Sequence, residues 1–265
     1  ASSKAKRISV IMPMLYEGRQ HKRSSRESLD CAMALQELVN LGVENIITFD
    51  AHDQRVQNAI PHKSFENVMP TYQMIKAIVN IDDLKVDKDH LMVISPDEGA
   101  MQRCIYFATQ LGVNLGMFYK RRDFTKVVDG RNPIVEHQYL GDPINGKDII
   151  IVDDMISSGE SMLEVAKKLK GLGANRIFVC TTFGLFANGL DVFDEAYKNG
   201  VFEKVFTTNG VYQTPELLSR EWYQSVDLSK YVAYFLDTLN HDMSVSSLLD
   251  SSDKIDSILR RKGLK

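Results

Sequence analysis

The chain has 265 residues, enough for one large or two modest domains that bury a core without disulfide or metal staples. Lys and Arg number 32 and Asp and Glu number 35, a formal charge of −3, so no surface that coats nucleic acid is expected. No apolar run approaches the roughly 18 residues of a membrane helix, and the first residues do not resemble a signal peptide. Three widely spaced cysteines in apolar stretches indicate neither a disulfide framework nor a zinc site, so we expect a cytoplasmic protein.

Short β-branched runs alternate along the chain with amphipathic segments of helical period, a pattern that predicts a mainly parallel sheet covered by helices. Apolar residues spaced at i, i+3, i+4 and i+7 predict helices that begin near Cys31, Cys104 and Met162. Each of these helices is followed by a glycine, which supplies a left-handed cap before the next strand. The predicted strands, in chain order, are Arg7–Met12, Asn45–Phe49, Leu91–Ser95, Leu115–Tyr119, Asp148–Val152, Arg176–Thr181 and Lys204–Thr207.

Two segments interrupt this alternation. Between Pro61 and Pro70, prolines, histidine and lysine break the periodicity and predict a domain boundary. The segment Lys120–Asn145 is rich in basic residues, and loops of this length within compact domains are usually functional lids or disordered segments. We therefore expect a basic lid here; the alternative for three basic residues in a row is a solvated loop face.

The sharpest signal is the strand Asp148–Val152 followed by Asp153, Asp154 and the small-residue turn Ser157–Ser161. In an open α/β sheet, ligands bind beyond the carboxyl ends of the strands, where this pattern places the two carboxylates. The turn offers backbone N–H groups at a helix N-terminus, which suit an anion, whereas adjacent carboxylates suit sugar hydroxyls or a hydrated metal ion. These features predict a site for a phosphorylated sugar; the alternative is a strand end and a capped helix that bind nothing.

The stretch from Val152 to Ser161 resembles the phosphoribosyl-pyrophosphate binding loop shared by type I phosphoribosyltransferases and ribose-phosphate pyrophosphokinases. Other segments, in the family's order along the chain, resemble the pyrophosphokinases in particular. These segments are Tyr16–Lys22 followed by Ser25–Glu27, Thr48–His52 with Gln57, Ser95–Ala100, and Tyr119–Arg122. By this resemblance the chain is identified as a member of the ribose-phosphate pyrophosphokinases.

The resemblance implies an enzyme that uses Mg²⁺ to transfer a diphosphoryl group from ATP to ribose 5-phosphate. It also implies a role for each residue that occupies a matching motif position. Lys120 and Arg122 are the implied catalytic residues, acting on the transferring phosphates. The implied ribose 5-phosphate site is Asp153, Asp154, Ser157, Ser158, Gly159 and Ser161; the implied ATP site is Arg19, Gln20 and His21; and the implied metal ligands are His52 and Asp97.

Some positions depart from the family's pattern, namely His21, Ala100, Ser157, Glu160 and Phe183. Of these, Glu160 adds a negative charge beside the expected phosphate site. Without the resemblance, Arg19, Gln20 and His52 are ordinary polar loop residues.

The resemblance further implies an α/β architecture of two phosphoribosyltransferase-type lobes with mainly parallel sheets and an active site between them. We expect the first lobe to span residues 1–66, with the C-terminal helix of residues 241–265 packed on it, and the second to span residues 67–240. The family carries another strand and helix before the position of Arg7, so the first lobe is expected to be N-terminally truncated. A homo-oligomer that binds neither nucleic acid nor a membrane is also expected.

Two alternatives remain at this point. One is a phosphoribosyltransferase that consumes phosphoribosyl pyrophosphate, although such an enzyme does not need the segments around Arg19 and Lys120. The other is a non-catalytic regulatory subunit that associates with a synthetase. The presence of Lys120 and Arg122 favours an enzyme over that subunit.

Overall fold

The computed structural model describes residues 4–23, 26–122 and 134–264, with the backbone alone over residues 120–122 and 134–137. The chain forms two compact units, Ala1–Pro70 and Thr71–Lys265. The division falls at the end of the segment between Pro61 and Pro70, slightly later than the expected boundary at residue 66.

The first unit contains a small parallel sheet. Its described strands are β1 (Ser9–Met12), β2 (Asn45–Phe49) and β3 (Ser64–Val68), in the spatial order β1-β2-β3, with β2 in the centre. Helix α1 (Asp30–Asn40) and a 3₁₀ helix, Gln54–Ala59, connect them. The predicted helix over Cys31 is confirmed, because Cys31 and Leu35 lie on its buried face and pack with Ile46.

The second unit is built on a larger sheet in which only the last pairing is antiparallel. Its spatial order is β10-β9-β8-β7-β4-β5-β6, and β6 runs antiparallel to β5. These strands are β4 (Leu91–Ser95), β5 (Asn114–Arg122), β6 (Ile134–Leu140), β7 (Asp148–Ile156), β8 (Ile177–Gly184), β9 (Lys204–Thr208) and β10 (Tyr223–Val226).

Helices cover both faces of this sheet, which explains the continuous apolar run in β7. Ile149 and Ile151 belong to one core cluster, while Ile150 and Val152 belong to the other, because successive side chains of a strand point to opposite faces. The helices of this unit are α2 (Thr71–Ile78), α3 (Met101–Leu111), α4 (Glu160–Gly171), α5 (Asp191–Lys198), α6 (Pro215–Leu218), α7 (Ser229–Asn240), α8 (Ser246–Leu249) and α9 (Ser252–Arg261).

The first residues of the expected lid belong to a β-strand rather than to a loop. Strand β5 continues to Arg122 and the chain returns as β6, pairing Lys120 with His137 across the antiparallel ladder. The antiparallel pairing was not expected, because polar residues and a proline mask the strand pattern here. Residues 123–133 of the expected lid lie outside the described residues.

The last helix lies within the second unit. Helix α9 packs on α2 and α3 of that unit. Its expected packing on the first lobe stays a prediction. Its apolar residues Ile255, Ile258 and Leu259 lie at helical spacing and are buried in the same core cluster as Ile75 of α2. In the part of the chain that the structure describes, no helix is both long and apolar enough to span a membrane.

Candidate active site

Two carboxylates lie near the carboxyl end of β7. Asp153 and Asp154 follow the buried residue Val152 within the strand, and the backbone N–H of Asp154 donates to Asp153 Oδ1 over 2.8 Å. The side chain of Asp153 is 21% exposed and that of Asp154 is 4% exposed. The carboxylate of Asp153 is therefore more accessible to a ligand than that of Asp154.

The turn Ser157–Ser161 follows these carboxylates and leads directly into α4, whose first residue is Glu160. Gly159 adopts a left-handed φ of +88°, and a Cβ at this position would lie 2.2 Å from Phe193 Cζ. Only glycine therefore fits this turn without displacing the buried ring. The first N–H groups of a helix have no intrahelical acceptors, so the turn presents donors suited to a phosphate.

A second interaction ties this turn to the neighbouring strand. The backbone N–H of Ala187 donates to Ser157 O over 2.9 Å, just after the end of β8. Ser157 and Ser158 are partly buried, whereas Glu160 and Ser161 are exposed. The start of the turn is thus hydrogen-bonded to the protein at Ser157, while its end, at Glu160 and Ser161, is exposed to solvent and accessible to a ligand.

An arginine from α3 reaches the two carboxylates. Arg103 Nη1 lies 3.5 Å from Asp153 Oδ1 and 3.9 Å from Asp154 Oδ1, and its side chain is 9% exposed. Arg103 is not among the site residues expected from sequence. The sequence does contain a sign of its role, because Arg103 lies beside the buried apolar residues Cys104 and Phe107 of α3 and Ala100 just before it. A charged side chain at such a position is rarely buried unless it has a partner of opposite charge.

The electrostatics of this group are dominated by burial. Removal from water raises the pKa of Asp153 well above its usual value, and the adjacent Asp154 carboxylate raises it further. The guanidinium of Arg103 acts in the opposite direction on the same pKa. Arg103 therefore favours the ionised form of the Asp153 carboxyl group, whereas burial favours its protonated form.

Asp97 lies in the turn between β4 and α3. Its Oδ1 accepts the backbone N–H of Gly99 over 2.9 Å, and Ser95 Oγ donates to the Asp97 carbonyl over 2.7 Å. Its side chain is partly exposed. The expected metal ligand is thus fixed by its own turn at the carboxyl end of a central strand.

In the first unit, His21 and His52 come together. Their ring centroids are 5.5 Å apart, and His21 Nδ1 lies 2.9 Å from Asp53 Oδ2. Arg55 also contacts Asp53 through its backbone N–H and its guanidinium. Asp53 and Arg55 were not among the site residues expected from sequence, because neither stands at a position that the resemblance singled out.

This first-unit cluster has shifted pKa values. Burial lowers the pKa of His21, although the Asp53 carboxylate opposes that shift. Hydrogen bonds from Arg55 hold the pKa of Asp53 well below its usual range. Asp53 is therefore an anion at neutral pH, and it accepts from both His21 and Arg55.

The other expected ATP residues lie on the same loop as His21. Gln20 donates its backbone N–H to Glu17 O over 2.8 Å and is partly buried, whereas Arg19 is exposed. Lys120 and Arg122 stand in β5, near its carboxyl end. Among the described residues, no three His, Cys, Asp or Glu side chains cluster as a metal site.

The structure thus brings together the expected ribose 5-phosphate residues Asp153, Asp154 and Ser157–Ser161 in the second unit. It brings His21 and His52 together in the first unit. The roles of these residues, of the catalytic pair and of the metal ligands remain predictions.

Known proteins match this chain over most of its length. The sequence pattern of the phosphoribosyl transferase domain family matches residues 64–220. The ribose-phosphate pyrophosphokinase of Vibrio parahaemolyticus is 27% identical over 250 residues, covering 93% of this chain and 74% of the relative. That of Chlorobaculum tepidum is 28% identical over 254 residues, covering 95% of this chain and 73% of the relative.

A solved structure shares the fold. The crystal structure of phosphoribosylpyrophosphate synthetase from Mycobacterium smegmatis has a TM-score of 0.77 and 21% identity, covering 91% of this chain and 74% of that chain. The α/β fold with mainly parallel sheets is therefore confirmed. The family match covers more than half of the chain and the curated relatives agree with the motifs: the chain belongs to the phosphoribosyl transferase domain family and, within it, to the ribose-phosphate pyrophosphokinases.

Proposed function

We propose that this chain transfers the terminal diphosphoryl group of ATP to the 1-hydroxyl of ribose 5-phosphate, giving phosphoribosyl pyrophosphate and AMP. The hydroxyl oxygen forms a bond to the β-phosphorus, the bond between that phosphorus and the α-phosphate oxygen breaks, and the hydroxyl proton is released. The observation that carries the proposal is the pairing of two carboxylates with a helix N-terminus at the end of β7. A phosphorylated sugar needs both features.

Ribose 5-phosphate is held by two kinds of contact in this proposal. The N–H groups and hydroxyls of Ser157, Ser158, Gly159 and Ser161 receive the 5-phosphate. The carboxylates of Asp153 and Asp154 accept hydrogen bonds from the ribose hydroxyls. Glu160 begins α4 with an exposed side chain, so its charge is largely screened by water.

The remaining roles rest on the motifs. Lys120 and Arg122 stabilise the negative charge of the transferring phosphates, and Arg19, Gln20 and His21 bind the nucleotide. These three ATP residues are consecutive in one loop of the first unit. A homo-oligomeric assembly in the cytoplasm is part of the same proposal.

Mg²⁺ suits the carboxylate at one of the two expected metal positions, Asp97. This ion usually keeps several waters and takes only one or two protein carboxylates together with substrate phosphates. Asp97 of the second unit offers such a carboxylate on a hydrogen-bonded turn. His52 of the first unit has an exposed imidazole, a donor that Mg²⁺ takes less readily than a carboxylate. When bound with ATP, Mg²⁺ would neutralise phosphate charge during transfer.

The decisive experiment incubates the purified chain with Mg²⁺, ATP and ribose 5-phosphate and follows AMP and phosphoribosyl pyrophosphate by ion-exchange chromatography. We expect equal amounts of both products. Asp153→Asn should raise the KM for ribose 5-phosphate more than the KM for ATP, since only the sugar contacts that carboxylate. Absence of AMP, or release of ADP in its place, contradicts the proposed function.

A further inference from the structure

We propose that Arg103 is a positioning residue for ribose 5-phosphate: its guanidinium holds the carboxylates of Asp153 and Asp154 in place as acceptors for the sugar hydroxyls. The inference rests on the proposed function. It adds to that site a residue from α3, a helix that the ribose-binding motif does not include.

The burial of Arg103 is the first argument. A guanidinium that is 9% exposed loses most of its hydration, and such a loss is tolerated where anionic partners compensate it. The partners in this case are Asp153 and Asp154, at 3.5 and 3.9 Å from Nη1. Three charges therefore meet at the carboxyl end of β7, where two adjacent carboxylates would otherwise repel each other.

The distances are the second argument. Direct hydrogen bonds between guanidinium and carboxylate are about 2.7–2.9 Å long, so contacts of 3.5 and 3.9 Å act mainly through charge. Such contacts leave lone pairs of the carboxylates available to a ligand. Asp153 has the more exposed carboxylate, and the Asp154 backbone N–H fixes its Oδ1.

The helix that carries Arg103 also contacts the strand end that carries Asp153. The next residue, Cys104, is fully buried, and its Sγ donates to the carbonyl of Val152 over 3.2 Å. Val152 immediately precedes Asp153 in β7. The helix and the strand end are thus bonded to each other directly beneath the three charges.

The consequence concerns the state of the carboxyl groups. Burial and the neighbouring Asp154 both raise the pKa of Asp153, and Arg103 opposes them. A protonated carboxyl group accepts fewer hydrogen bonds from hydroxyls than a carboxylate does. Loss of Arg103 should therefore weaken the binding of the sugar more than the binding of a bare phosphate.

The test compares Arg103→Met and Arg103→Gln with Arg103→Lys, which keeps the charge. Calorimetry without ATP measures the Kd for ribose 5-phosphate and, separately, for inorganic phosphate; kinetics measure both KM values. We expect the neutral variants to raise the Kd for ribose 5-phosphate about tenfold or more, with changes below about threefold for phosphate and for the KM of ATP. Arg103→Lys should recover most of the affinity for ribose 5-phosphate.

Two controls separate positioning from simple destabilisation. Gln102→Met changes an exposed neighbour on the same helix, and Asp148→Asn weakens the fold at the opposite end of β7. Both should keep the wild-type Kd for ribose 5-phosphate. In an Asp153→Asn background, Arg103→Met should have a much smaller effect than in the wild type, since the nearer and more exposed of its two carboxylate partners is already neutral.

Each outcome bears on the inference. An unchanged Kd in the neutral variants, equal losses for sugar phosphate and inorganic phosphate, or a full effect in the Asp153→Asn background would overturn it. Failure of Arg103→Lys to recover affinity would also overturn it. If the wild-type chain binds no ribose 5-phosphate, the proposed function fails as well, whereas binding that is indifferent to Arg103 removes only the positioning role.

Discussion

Gly159 offers a test of the phosphate-binding turn at the scale of one residue. Gly159→Ala would combine a strained left-handed backbone with a Cβ 2.2 Å from the buried ring of Phe193. We expect the free energy of unfolding to fall by about 3 kcal/mol, measured by urea denaturation. The KM for ribose 5-phosphate should rise as well, because the N–H groups of the turn must shift.

Gly146 is the matched control for that substitution. It also has a left-handed φ, +77°, but no described atom beyond its own residue and its two chain neighbours lies within 4 Å of its Cβ position. Gly146→Ala should therefore cost only about 1 kcal/mol of backbone strain and leave the KM unchanged. Equal losses of stability in the two variants would contradict the clash with Phe193.

The candidate site shows which residues a sequence can indicate. Asp153, Asp154 and the turn after them are close in sequence, so a strand followed by small residues and a helix was enough to predict them. Arg103 approaches the same carboxylates from a helix far away in sequence, and Asp53 depends on its contact with His21. Contacts of this kind depend on tertiary packing, so they could not be predicted from a single sequence.

At the scale of elements, an ion pair joins the starts of β7 and β8. Asp148 is buried and accepts from Nε and Nη2 of Arg176, whose Nη1 also donates to Asp82 O over 3.0 Å. Asp148→Asn would place an amide N–H₂ against these donors. We expect a loss of about 2 kcal/mol in the free energy of unfolding, with kcat unchanged.

The exposed ion pair of Glu164 and Lys168 on α4 is the control. Its charges are 54% and 37% exposed at i and i+4, so Glu164→Gln should cost less than about 0.5 kcal/mol in the same denaturation experiment. A comparable loss in the two variants would show that burial does not strengthen the pair at Asp148.

The two residues expected to be catalytic, Lys120 and Arg122, lie at the end of β5. Lys120→Ala and Arg122→Ala should each lower kcat about 10²-fold or more, with smaller effects on KM, because the charges are expected to act on the transition state. Initial rates of AMP formation measure both constants. Unchanged turnover in both variants would support the non-catalytic alternative.

The strands that sequence did not predict share a physical cause. β3, β6 and β10 all lie at an edge of their sheet, and each mixes polar with apolar residues. An edge strand pairs on one side only, so it lacks the continuous apolar run that made β4 and β7 predictable. The strand β1 is also at an edge of its described sheet, but it was predicted because Val10, Ile11 and Met12 form a continuous apolar run.

For the whole molecule, the cysteines can report on each unit separately. Cys31 is buried in the first unit, and Cys104 and Cys180 share one core cluster of the second. Burial raises the pKa of the Cys31 thiol to about 11, so at pH 8 its thiolate fraction is about 10²-fold below that of an exposed thiol. We expect native protein to resist iodoacetamide.

Urea should then expose the thiols unit by unit. Mass spectrometry of labelled peptides is expected to show Cys104 and Cys180 reacting together, because one core encloses both. A Thr109→Cys variant, with an exposed position on α3, is the control and should react at once. Rapid labelling of Cys31 without urea, or independent labelling of Cys104 and Cys180, would contradict this prediction.

The packing of α9 has a consequence for the order in which the molecule folds during synthesis. The residues of the first unit all leave the ribosome before those of the second, so that unit can fold early. In the second unit, however, Ile255, Ile258 and Leu259 complete a core begun by α2 and α3, whose residues are translated much earlier. Until α9 has been synthesised, the apolar side chains of α2 and α3 that α9 covers stay exposed to solvent. Slow translation of the codons before Ser252 should therefore increase chaperone dependence and aggregation of the nascent chain.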